Sequence, residues 1–112
     1  MTRRVLLLLA ILLVAGVQVA AAADPRPEIP VTIEKNRFQP DQIKVKAGQS
    51  FVLVVTNKDA TPEEFESKEL KIEKVIPPGK TLKINVCALK AGTYPFVGEY
   101  HEKTAKGTIV AE

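Results

Sequence analysis

The chain has 112 residues, with 16 basic and 13 acidic side chains, a formal charge of +3, one Cys, one His and no Trp. That length allows one small domain, and one cysteine allows no internal disulfide, so stability must come from packing. The charge gives no basic footprint for nucleic acid.

Arg3 and Arg4 precede an apolar run, Val5 to Val19, broken only by Gly16 and Gln18, and four alanines end at Ala23. Charged, apolar and small residues in that order predict a secretory signal peptide over residues 1–23, cleaved after Ala23. The rival reading is an uncleaved anchor, but the run falls short of the roughly 20 apolar residues that a span needs. No Cys follows the run, so lipidation is not expected. Taking Arg3 and Arg4 from the 16 basic residues leaves 14 against 13 acidic ones, a balance of +1. The mature Lys and Glu residues are interspersed, the pattern of a solvated surface.

Residues 24–28 are polar and Pro-rich and are expected to form a flexible lead-in, with the folded domain over 29–112. The pattern beyond is all β. Val31 and Ile33 alternate with polar residues, as do Ile43 and Val45 before the Ala47-Gly48 turn. Ser50 to Thr56 is a strongly apolar strand, expected to be central. Leu70 and Ile72 alternate, and Val75-Ile76 runs into Pro77-Pro78-Gly79, a turn. Leu82, Ile84 and Val86 share one face. Ala91-Gly92 turns the chain into Tyr94-Phe96-Gly98, and Ile109-Val110 lies in the last strand. Short alternating strands between turn signals predict a β-sandwich or barrel. Lys58 to Lys68 is the one long connection without a strand pattern, and Glu63-Glu64-Phe65-Glu66 is expected to make a helical turn after Pro62. Phe38, Phe51, Phe65 and Phe96 are expected in the core or at its edge.

These segments resemble the cupredoxins, and more narrowly the bacterial periplasmic cupredoxin-like proteins associated with high-affinity iron permeases. The likeness is carried by Phe38-Gln39-Pro40 with the strand to Gly48, Val54 to Asp59, Pro78-Gly79-Lys80-Thr81, Gly92-Thr93-Tyr94-Pro95-Phe96 and Lys106 to Val110. Ala60 to Ser67 points to the iron-linked subgroup. The resemblance implies a Greek-key β-sandwich in which Tyr94 makes a tyrosine corner. It also implies where a blue-copper ion would be held. The first imidazole would come from the loop after Asn57, which here offers Glu63, Glu64 and Glu66 and no His. The thiolate position is Gly98, which alternation puts on the face of Tyr94 and Phe96. The second imidazole position is His101. The axial thioether position falls at Ala105 or Lys106.

One ligand of four remains, so the resemblance implies the scaffold without the type 1 blue-copper centre. In that scaffold the loop of Glu63, Glu64 and Glu66 meets the loop of Glu99, His101 and Glu102. Carboxylates with one imidazole suit iron or manganese and tolerate zinc or cupric copper. The six residues are expected to form a non-blue iron or copper site anchored by His101. The same residues also read without a metal: a polar His on a surface loop, and glutamates that are solvated or face a partner. Cys87 is out of phase with Leu82, Ile84 and Val86, at the end of its strand; it reads as a partly buried hydrophobe or as an exposed thiol.

The function expected is periplasmic metal handling that assists iron uptake beside an iron permease or other uptake components, reaching the membrane only through a partner. The alternative is a metal-free sandwich that docks such a partner. Catalysis is not expected, since no nucleophile is placed with a base and a single His leaves no spare imidazole for a triad.

Overall fold

The computed structural model describes residues 14–16 and 26–112. Apart from 14–16, the segment expected as a signal peptide lies outside the described residues. Among those described, no helix is long and apolar enough to cross a membrane.

Nine strands run in chain order: β1 (Glu28–Glu34), β2 (Arg37–Gln39), β3 (Gln42–Val45), β4 (Phe51–Asn57), β5 (Glu63–Ser67), β6 (Ile72–Ile76), β7 (Thr81–Val86), β8 (Gly92–Gly98) and β9 (Lys106–Ala111). They form two sheets, ordered β2-β1-β4-β7 and β3-β9-β8-β5-β6. The pairs β1–β4 and β3–β9 are parallel and the others antiparallel. The lead-in is not wholly free, because Val52 N donates to Pro27 O at 2.9 Å and Glu28 already belongs to β1.

Alternation explains the core. Val31 and Ile33 of β1, Phe51, Leu53 and Val55 of β4, and Ile84 and Val86 of β7 point inward from one sheet. Ile43, Phe65, Ile76, Phe96 and Ile109 meet them from the other. Phe38, Phe65 and Phe96 form a ring cluster, the last two stacked at 4.8 Å between centroids. The Tyr94 hydroxyl donates to Lys90 O at 2.8 Å, so the tyrosine corner is present.

One element differs from the expectation. Residues 63–67 are a strand, not a helical turn in a long connection. Glu63, Phe65 and Ser67 point inward while Glu64 and Glu66 point outward, a period of two in which the first inward residue is charged. That buried carboxylate hid the strand from a hydropathy reading. Asn57 helps to hold it: wholly buried at the end of β4, its side-chain amide donates to Thr61 O and to Ile76 O, opposite Glu63 in the ladder. Cys87 is exposed, not partly buried, just beyond β7.

Candidate metal centre

β8 ends at Gly98, and Glu99–His101 forms one turn of 3-10 helix. Gly98 N donates to Ala105 O and Ala105 N donates to His101 O, both at 2.8 Å, which closes residues 98–105 into a compact corner. Gly98 lies opposite Phe65 of β5, so the corner faces the start of that strand.

The inner half of the corner is filled by Glu63, 1% exposed. Its Oε2 meets His101 Nδ1 at 2.5 Å. Its Oε1 accepts from Glu64 N at 3.0 Å and Tyr100 N at 3.1 Å. A Cβ at residue 98 would lie 2.6 Å from Glu63 Cδ and 2.6 Å from Ala105 Cβ. Gly98 has ordinary extended dihedrals, φ −87° and ψ 105°, so glycine is needed there for space and not for conformation. The carboxylate of Glu63 thus occupies the room that a side chain at 98 would take. The His101 side chain is 27% exposed. A carboxylate on Nδ1 places the neutral ring's proton there and leaves Nε2 with the lone pair, the arrangement that orients metal-binding imidazoles.

The outer half is a separate carboxylate group. Glu64, Glu66 and Glu99 each offer an oxygen within 4.8 Å of the others. The β5–β8 ladder pairs Glu66 with Val97 and ends at Phe65 with Gly98, and the 3-10 turn that begins at Glu99 follows directly. On the other side Glu66 lies opposite Glu73 of β6. Glu64 is only 7% exposed, and its Oε1 is buried without a hydrogen-bond partner.

The electrostatics follow from the crowding. A proton shared with Glu64, and then with Glu66, pushes Glu99 up to about 7. Glu73 is raised, mainly by its contact with Glu64. Glu64 is lowered, because Glu99 and then Glu73 donate to it when protonated. Tyr100 is raised, by desolvation first and by Glu64 second.

The six residues expected as one site therefore divide. Glu63 and His101 pair on the inside, and Glu64, Glu66 and Glu99 gather on the outside. Glu102 stands outside both groups, exposed, in a groove with Lys103 and Lys106. Glu73 and Tyr100 were missed by sequence reasoning. Only the β5–β6 register and the 3-10 turn bring them in, and nothing local in the sequence signals either.

Comparison with known proteins agrees with this fold. The model of the cupredoxin-like domain family matches residues 5–111. An uncharacterized protein of Rickettsia prowazekii (strain Madrid E) is 36% identical over 83 residues, 74% of this chain and 66% of that protein, so just under two thirds of the relative's length is spanned. Among solved structures, auracyanin A, a blue copper protein from Chloroflexus aurantiacus, is similar at a TM-score of 0.66 and 16% identity, over 77% of this chain and 99% of that one. The metal-binding domain of the Cu(I)-exporting P-type ATPase CopA of Streptococcus pneumoniae, solved with Cu(I), is similar at 0.70 and 17%, over 81% and 91%. The purple cupredoxin of Nitrosopumilus maritimus is similar at 0.55 and 14%, over 74% and 98%. At these identities the structural likeness is one of fold.

Proposed function

This chain belongs to the cupredoxin-like domain family, and from that premise we propose that it is a periplasmic metal-handling protein that binds iron or copper and assists iron uptake beside an iron permease. It is a binding protein and not an enzyme. Copper is what auracyanin A and the CopA domain hold, and the choice here is between keeping that ion in another form and exchanging it for iron.

A type 1 copper ion does not fit these residues. It needs a thiolate, and the position nearest His101 in β8 is Gly98, whose side-chain space is taken by Glu63. The one thiol, Cys87, follows β7 in the other sheet and is exposed. What is available is oxygen with one imidazole, a donor set for cupric or ferric ions rather than cuprous ones.

The observation that carries the reading is the Glu63–His101 contact at 2.5 Å. Glu63 acts as a positioning residue: it fixes the ring and its tautomer, and His101 is the anchor for a metal at Nε2. Iron rather than copper alone is favoured by the acidic composition of the neighbouring face, since higher charge gains more from anionic ligands.

Equilibrium dialysis of the purified protein against Cu(II) and ferric citrate tests this. Saturable uptake at micromolar metal, weakened at least tenfold in His101→Ala, is expected. Equal uptake by wild type and His101→Ala removes the anchor. No uptake at all favours the second reading, a metal-free module that docks a partner. That reading draws on the same pair, because every strong contact of Glu63 is already made within the protein.

A further inference from the structure

We propose that the outer face of β5, β6 and the 3-10 turn is an oxygen-only site for a hard polyvalent cation, held by Glu64, Glu66, Glu73 and Glu99 and distinct from the Glu63–His101 pair. The inference rests on the metal-handling reading for its biological use, and it names the ion class and the ligands that the reading leaves open.

Two independent observations support it. The first is placement. Three carboxylates offer oxygens within 4.8 Å of one another, and the fourth, Glu73, is the direct cross-strand partner of Glu66. Ligand oxygens on opposite sides of one ion at about 2.3–2.6 Å lie roughly 4.6–5.2 Å apart, so a single cation reaches all three. Like charges directly across a ladder destabilise a sheet, yet Glu66 and Glu73 stand opposite each other here, with Glu64 and Glu99 beside them. The Lys83 ammonium pairs with Glu28 and the His101 ring with Glu63, so neither is directed at these four.

The second observation is the orphaned oxygen. Glu64 is 7% exposed, and its Oε1 has no hydrogen-bond partner. A buried acceptor left unpaired costs about 1–3 kcal/mol, more when charged. Its ionised neighbours are acceptors only, so they cannot satisfy it. The Tyr100 hydroxyl, a shared proton or a cation can. With no nitrogen or sulfur donor in the group, the ion is of the calcium, manganese or ferric class.

Tyr100 supplies the readout. It adjoins Glu64, whereas Tyr94, the other tyrosine, is engaged at Lys90. Terbium(III), a hard-cation probe, is titrated into the purified protein with excitation through tyrosine. Saturable sensitised emission with one ion per chain is expected. Glu64→Gln should weaken it at least tenfold while circular dichroism stays native. Tyr100→Phe should abolish emission while calorimetry still records terbium binding. Competition with calcium, manganese and ferric citrate then ranks the natural ions. Emission that never saturates, or an unchanged affinity in Glu64→Gln, overturns the site. Cu(II) uptake that depends on His101, with no terbium binding, overturns this inference and leaves the metal-handling reading standing. Terbium binding without iron or copper uptake supports the site and defeats the iron–copper reading.

Discussion

Glu63 Oε2 and His101 Nδ1 meet at 2.5 Å in the corner between β5 and β8, and their contact fills the space beside Gly98. The pair is both the packing of that end of the sandwich and the proposed mount for a metal-binding imidazole.

Removing the carboxylate should be costly. Glu63→Ala leaves the N–H groups of Glu64 and Tyr100 and the His101 ring unpaired. A buried donor left unpaired costs about 1–3 kcal/mol. Urea unfolding should show a loss of this order for Glu63→Ala, and a smaller one for Glu63→Gln, which keeps an amide oxygen. A Glu63→Ala protein as stable as wild type contradicts the structural role.

Rebuilding a thiolate at residue 98 should fail by itself. In Gly98→Cys the new Cβ meets Ala105 Cβ and Glu63 Cδ at 2.6 Å. Overpacking of this kind costs about 1–3 kcal/mol. Adding Glu63→Ala removes one of the two clashing groups, so the double variant should lose less stability than the sum of the single changes. Strict additivity in denaturation experiments shows that Glu63 does not occupy that space.

The outer carboxylates should make the metal-free protein pH-dependent. Glu99 is held up to about 7 in the fold, against 4.5 unperturbed. The folded state then binds the proton more tightly, so this contribution to stability is complete below pH 4.5 and is lost as pH rises through about 7. Glu73, raised in the same way, acts with the same sign. Glu64, lowered, acts with the opposite sign: its contribution is present above 4.5 and lost as pH falls below it. Glu99→Gln should flatten the decline between pH 4.5 and 7 in a plot of urea midpoint against pH, measured with a chelator present. An unaltered slope excludes Glu99 as its source.

Cys87 is exposed at the end of β7. One thiol per folded chain should react with Ellman's reagent without denaturant. Cys87→Ser should change stability by no more than about 0.5 kcal/mol. Metal uptake should be unaffected. A folded protein that withholds the thiol places Cys87 in a contact between copies of the chain.

Most of the sandwich was legible because its strands alternate cleanly. Val31 and Ile33, Leu82, Ile84 and Val86, and Tyr94, Phe96 and Gly98 each declare an inward face by a period of two. β5 was not legible, since its inward positions begin with a glutamate whose partner, His101, lies 38 residues away. β2 has three residues, too few for a pattern. The location of His101 near Glu63, Glu64 and Glu66 followed from the family resemblance, which put those glutamates in a loop. The division of the acids into an inner pair and an outer group did not, because it depends on which residues of β5 face inward. Glu73 joins the group through strand register alone, which no local sequence signal encodes.

The central claim is that this copper-protein fold handles metal through oxygen and one imidazole instead of sulfur. Visible absorption and electron paramagnetic resonance of the purified protein titrated with Cu(II) test it most directly. The account predicts a stoichiometric signal of oxygen and nitrogen coordination, without an intense thiolate-to-copper charge-transfer band, and its loss in His101→Ala. An intense thiolate band, or no bound copper and no bound iron under the same conditions, contradicts it.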